Sequence, residues 1–245
     1  MADHEDAHRI ATEAGALLLE IRAAAAAGRL DPSQLKDEGD RQSNELILEL
    51  LLQAYPDDAV LSEERADDAS RVDAPRTWIV DPLDGTREFG EDPRTDWAVH
   101  VALVEKGFPT AAAVALPARG MTLSTVSPPA LPPAVDRPPV LVVSRTRPPA
   151  ETEIVRAALG GDLLPMGSAG AKAMAVVRGE ADVYAHSGGQ YEWDSAAPVA
   201  VAAAAGLHVS RLDGSPLVYN SENPYLPDLL ICRPEFADTV IEVCA

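Results

Sequence analysis

Six of the 13 residues from Ser127 to Pro139 are prolines: Pro128, Pro129, Pro132, Pro133, Pro138 and Pro139. Proline fixes φ and lacks a backbone donor, so this stretch can be neither a helix nor a central strand. It reads as a surface connection, residues 127–139, between an N-terminal subdomain, residues 1–126, and a C-terminal one, residues 140–245. Before it, Ala7, Ile10, Ala11, Ala14, Leu17, Leu18 and Ile21 recur at helical spacing, and Gly28 and Pro32 end the pattern. A second helix is expected from Arg41 to Ala54, with Asp40 as its N-cap and Tyr55-Pro56 as its stop. Strands are expected at 59–62, 78–81, 97–105 and 110–116. After the connection, strands at 140–144, 181–186 and 229–232 alternate with helices at 151–159, 169–178, 194–205 and 234–243, and Asp213-Gly214 signals a hairpin turn. Both halves read as sheets layered with helices.

Composition narrows the function. The chain of 245 residues carries 39 acidic and 20 basic side chains, a formal charge of −19. Such a surface repels polyphosphate backbones and anionic membranes, which excludes a nucleic-acid polymer or a membrane as partner and favours cations or ligands that arrive with them. Aromatic residues make up only 4%, so Ala, Val and Leu must fill the core. Cys232 and Cys244 form neither a disulfide framework nor a zinc motif. The acidic N-terminus lacks secretory-signal character and no apolar run approaches a membrane span, so a cytoplasmic location is expected.

The chemistry concentrates in Trp78-Ile-Val-Asp-Pro-Leu-Asp-Gly-Thr-Arg-Glu-Phe89. A buried strand delivers Asp81, Pro82 turns the chain, and Asp84 follows with a glycine and a hydroxyl. Two carboxylates ~4 Å apart repel by ~4 kcal/mol at an effective dielectric near 20, so such a pair shares a proton or a cation. Mg²⁺ takes oxygen ligands, and the Leu83 carbonyl is a further one on the same turn. The plain alternative is a β-turn whose aspartates cap their own backbone. An EF-hand loop opening at Asp81 fails, with Leu83, Thr86 and Asp92 at its third, sixth and twelfth positions. Gly167-Ser-Ala-Gly-Ala-Lys172 is not a P-loop, and Ser168 lacks the frame of a hydrolase nucleophile. Upstream, Glu63 lies in an acidic segment but directly follows a buried strand that could aim it into a site. Downstream, Asp194 opens an apolar helix, where an N-cap is the ordinary role. The five histidines show no metal spacing.

Glu63, Asp81-Pro-Leu-Asp84-Gly-Thr86 and Trp193-Asp194-x-Ala-Ala197 together resemble, in order and spacing, the inositol monophosphatase superfamily of magnesium-dependent, lithium-sensitive phosphomonoesterases. Asp84-Gly-Thr-Arg-Glu-Phe89, Ser144-Arg145 and Gly167–Lys172 resemble its CysQ-type branch, which hydrolyses 3′-phosphoadenosine 5′-phosphate. The resemblance implies a layered α+β/α/β sandwich, αβαβα. It implies two Mg²⁺, one held by Glu63, Asp81 and the Leu83 carbonyl and the other by Asp81, Asp84 and Asp194. Thr86, Asp40 and Glu63 would orient and deprotonate a water. Asp84, Gly85, Thr86, Arg145, Gly170, Lys172 and Asp194 would contact a small phosphorylated nucleotide. The stretch Lys36–Asp40 departs from the family pattern: it is short and lacks a threonine, which leaves a third metal and the role of Asp40 open. The family suggests a homodimer. Inositol 1-phosphate or fructose 1,6-bisphosphate are the alternative substrates, and a non-catalytic metal-binding regulator is the alternative from another class.

Overall fold

A computed structural model describes residues 1–133 and 136–244. The expectation of a surface connection at Ala134 and Val135 lies outside the described residues. The elements run α1 (Ala2–Ala26), α2 (Leu35–Ala54), β1 (Ala59–Ser62), β2 (Thr77–Asp84), α3 (Thr86–Phe89), β3 (Ala98–Glu105), β4 (Phe108–Leu116), β5 (Met121–Ser124), β6 (Val140–Ser144), α4 (Thr152–Leu159), β7 (Asp162–Met166), α5 (Ala169–Val177), β8 (Val183–Tyr191), α6 (Glu192–Ala204), β9 (His208–Ser210), β10 (Tyr225–Cys232) and α7 (Ala237–Cys244). The first sheet has the order β1-β2-β3-β4-β5 and the second β7-β6-β8-β10-β9. β1 and β2 pair in parallel, as do β6 with β7 and with β8; the other neighbours are antiparallel.

Strand alternation sorts side chains into layers. Val99, Val101 and Leu103 of β3 face a core shared with Ala7, Ile10, Leu18 of α1 and Ile47 of α2. Ala98, Ala102 and Val104 face the opposite core, with Met174 of α5, Val201 of α6 and Ile231 of the second sheet. The outer face of the second sheet packs Leu141, Val143 and Leu230 on Val155 of α4 and Val240 of α7. The order is αβαβα, as the resemblance implied. In the middle layer every residue of α5 is buried, and its sequence Ala-Gly-Ala-Lys-Ala-Met-Ala-Val-Val explains the low aromatic content: small side chains let two sheets close on one helix layer. Among the described residues no helix is long and apolar enough to cross a membrane.

Several boundaries differ from the sequence expectation. α2 begins at Leu35, so Asp40 is not an N-cap but an interior residue, and Lys36–Asp40 is helix instead of loop. The cause is upstream: Asp31 Oδ1 accepts from the Ser33 N–H at 2.9 Å and starts a 3-10 turn, Pro32–Gln34, that leads into the helix. Gly39 is tolerated inside because a Cβ there would lie 2.8 Å from Phe89 Cε1; it is a close-approach glycine. Strands β5, β7 and β9 carry no expected pattern. Asp213-Gly214 is a local turn in the long link between β9 and β10, with Asp213 Oδ1 accepting from the Ser215 N–H at 2.9 Å, and joins no two-residue hairpin.

Candidate active site

β2 is buried along its whole length and pairs on both sides. Its pairing with β3 shifts between Asp81 and Asp84, a bulge that turns Pro82 and Leu83 out of the ladder. The Pro82 carbonyl then accepts from Ser43 Oγ of α2 at 2.7 Å, and Asp81 Oδ1 accepts from the Leu83 N–H at 3.1 Å. Gly85, with φ of +88°, swings the chain into α3. From the second half, Asp194 arrives in the first turn of α6. It is not the N-cap: α6 starts at Glu192, and Asp194 Oδ2 accepts from the Tyr191 N–H at 2.7 Å. One oxygen from each of Asp81, Asp84 and Asp194 lies within 4.8 Å of the others. Glu63, just past the end of β1, is exposed as a whole residue but turns its carboxyl inward beside Asp81, and it borders this triple without joining it.

The four carboxyls do not share one electrostatic state. Burial, then the charges of Glu63, Asp84 and Asp194, push Asp81 well above the usual carboxylate range. Burial followed by Asp84 raises Asp194 to about 6, and burial followed by Asp194 raises Glu63 to about 7. Burial would raise Asp84 as well, but His100, Lys172 and Ser168 outweigh it and hold Asp84 down to about 2. Those partners come from β3 and α5. Asp84 Oδ2 accepts from Ser168 Oγ at 2.5 Å and the Gly170 N–H at 2.6 Å, and Oδ1 accepts from the Ala169 N–H at 3.1 Å. The α5 N-terminus thus closes on a carboxylate, as helix dipoles favour. Ser168 takes a φ of +52° to do so.

Beside the turn, Thr86 Oγ1 lies 3.3 Å from Asp40 Oδ1 and 3.1 Å from the Leu83 carbonyl. Burial, then the charge of Glu64, raises Asp40 to about 7. Asp40 and Thr86 therefore meet across 46 residues.

The expected substrate contacts divide. Asp84, Gly85, Thr86, Arg145, Lys172 and Asp194 line a cavity of about 590 Å³ with Arg87, Arg147 and His186. Lys172 is not solvated but buried, its Nζ donating to the Ser168 carbonyl at 2.7 Å. Arg145 is tied to Glu88 Oε1 at 2.6 Å and Glu91 Oε2 at 2.8 Å, so its charge is already matched. Gly170 spends its N–H on Asp84, and a Cβ at this position would collide with His100 Nε2. The residues that motif spacing does not reveal are His100 and Ser168. His100 is fully buried; its Nδ1 donates to the Trp193 carbonyl at 2.9 Å while Nε2 stands 3.2 Å from Asp84 Oδ2. Its signal was alternation: it stands on the β3 face of Ala98 and Ala102, where an imidazole between apolar neighbours needs a polar partner.

The donor set fits a hard divalent cation. It consists of oxygens alone, and Asp81 is buried among three other carboxylates, with the Leu83 N–H donating to its Oδ1. A cation bound there would supply the missing countercharge. The Leu83 carbonyl has two lone pairs, and Thr86 Oγ1, 3.1 Å away, engages at most one of them.

Comparison with known proteins agrees with this geometry. The profile of the inositol monophosphatase family matches residues 4–129 and 138–242. A Mycobacterium bovis protein named 3′-phosphoadenosine 5′-phosphate phosphatase is 52% identical over 241 residues, 95% of this chain and 90% of its own. The Escherichia coli 3′(2′),5′-bisphosphate nucleotidase CysQ is 33% identical over 198 residues, 76% of this chain and 80% of its own. The crystal structure of CysQ from Bacteroides thetaiotaomicron superposes with a TM-score of 0.80 at 28% identity, covering 95% of this chain and 97% of that one. With the profile matching both halves and the layers and acidic turn in their expected order, the chain belongs to the inositol monophosphatase family.

Proposed function

We propose that this chain is a Mg²⁺-dependent phosphomonoesterase that converts 3′-phosphoadenosine 5′-phosphate to AMP and phosphate. The observation that carries the reading is the meeting of Asp81, Asp84 and Asp194 within 4.8 Å, beside the Thr86–Asp40 pair, with Asp84, Thr86 and Asp194 lining a cavity that also has Lys172 and Arg147 in its lining. Anionic floor and cationic lining together suit a ligand with two phosphates, one received through metal and one by direct charge. The names and the 52% identity of the mycobacterial relative support the same substrate.

In this reading Asp81, Asp84 and Asp194, with Glu63 and the Leu83 carbonyl, would hold two Mg²⁺. Bound there, Mg²⁺ polarises phosphoryl oxygens and makes a coordinated water more acidic. The protein's own part is orientation and proton transfer. With its proton directed to Asp40 Oδ1, Thr86 Oγ1 offers lone pairs that orient the attacking water. Asp40, raised to about 7, is matched to neutral pH as the eventual proton acceptor. Buried Lys172 and the α5 N-terminus fix Asp84 so that the carboxylate does not reorganise during turnover.

Phosphate release from 3′-phosphoadenosine 5′-phosphate, inositol 1-phosphate and fructose 1,6-bisphosphate, with Mg²⁺ and with added Li⁺, tests the proposal. The nucleotide is expected to have the highest kcat/KM and Li⁺ to inhibit. Preference for inositol or sugar phosphate would move the chain to another branch of the family, and inactivity on all three would favour a non-catalytic metal-binding role. Thr86→Ala is expected to lower turnover about a hundredfold with Mg²⁺ binding retained.

A further inference from the structure

The cavity rim opens at Gly188 and Gly189. Both have left-handed φ, 74° and 70°, and no heavy atom lies within 4 Å of where a Cβ would stand. Just beyond them three aromatic rings gather. Tyr191 stacks on Trp193 with centroids 4.8 Å apart and planes 6° from parallel, and Tyr225 meets Tyr191 edge-on at 5.8 Å. The Tyr225 hydroxyl accepts from the Gly189 N–H at 3.3 Å, which fixes the rings to the cavity rim. Both tyrosines remain 42% exposed. Tyr191 and Tyr225 are cross-strand partners in the β8–β10 ladder, which accounts for their mutual contact. It does not account for the near-parallel stack on Trp193 or for so much ring surface in solvent. The Tyr191 N–H also holds Asp194 Oδ2 at 2.7 Å, so this aromatic surface and the carboxylate cluster share one residue.

We propose that Tyr191 and Tyr225 form the subsite for the purine base of the substrate, with the sugar crossing the side-chain-free rim at Gly188 and Gly189. The inference rests on the nucleotide reading above and names what distinguishes a nucleotide from a base-less phosphate. A base has a flat π-face, and stacking on an aromatic side chain contributes about 1–3 kcal/mol per base, with little demand on base identity. A base-less sugar or inositol phosphate gains nothing from such a surface. The subsite therefore sets substrate class without taking part in the chemistry.

The test uses the full chain with Tyr191→Ala, Tyr225→Ala and the conservative Tyr191→Phe. For Tyr191→Ala, kcat/KM for 3′-phosphoadenosine 5′-phosphate relative to that for fructose 1,6-bisphosphate is expected to fall about tenfold to a hundredfold, through KM. Tyr191→Phe should keep the wild-type ratio. An unchanged ratio in both alanine variants, or equal losses on both substrates, would overturn the proposal. Titration with AMP in the absence of metal separates this inference from the nucleotidase reading. AMP should quench the Trp193 fluorescence in the wild type, ribose 5-phosphate should not, and Tyr191→Ala should weaken the AMP response about tenfold. If the wild type releases no phosphate from the nucleotide yet AMP still binds in this Tyr191-dependent way, the activity fails and the base subsite stands. AMP binding unaffected by Tyr191→Ala would overturn the subsite whatever the activity.

Discussion

Asp81 and Asp84 stand three residues apart on one turn, yet their surroundings are opposite. Asp84 is met by Ser168 Oγ, two backbone N–H groups of α5 and the His100 imidazole, and stays ionised down to about 2. Asp81 is equally buried but faces Glu63, Asp84 and Asp194, and its carboxyl is pushed far upward. The protein thus supplies its own countercharge to one carboxylate and leaves the other for a cation. Sequence proximity does not make two residues equivalent; the chains packed against each side do.

The largest effect that would break this contrast is at Asp81. Asp81→Asn is expected to lower turnover about a thousandfold while raising the metal-free melting temperature, because a buried amide replaces a buried, uncompensated acid. A metal-free melting temperature below wild type would show that Asp81 is already satisfied by the protein. Asp84→Asn should do the reverse to stability. It strands donors on Ser168, Gly170 and His100 and costs about 3 kcal/mol, or about 5–10 °C on a melting curve, with Mg²⁺ absent. Gly170→Ala, which drives a methyl into His100, should cost about 1–3 kcal/mol by displacing α5 from Asp84, read by urea denaturation. The smallest effect is on pH. Asp194 and Glu63 have folded pKa values raised to about 6 and about 7, so the stability they contribute is present at low pH and lost as pH rises through those values. Asp84 works in the opposite sense and loses its contribution only as pH falls toward about 2. The metal-free protein should therefore soften between about pH 4 and about pH 7, and Mg²⁺ should abolish that slope.

The same contrast explains what the sequence could reveal. Asp81, Leu83, Asp84, Gly85 and Thr86 form one contiguous turn after a buried strand, so their chemistry is written in adjacent letters. Asp84's partners lie 84 to 86 residues further on in α5, and only folding makes them neighbours. His100 escaped motif spacing because its role depends on which face of β3 it occupies. In the fold, the central strands were legible from their apolar runs, whereas β5, β7 and β9 were not, and all three lie at sheet edges. Edge strands are short and half covered; β7 even carries Pro165, which an edge tolerates. α2 starts ahead of the expected Asp40 cap because the turn that launches it is set by Asp31, and Gly39 inside it packs closely against Phe89.

The most direct test of the central claim is calorimetric titration of Mg²⁺ into wild type and Asp81→Asn at pH 6, in two buffers of different ionisation enthalpy. Metal binding to carboxyls with raised pKa values must release protons. The account predicts tight binding with proton release by the wild type, and weak binding with little release by Asp81→Asn. Equal affinity in the two proteins with no protons released would contradict it.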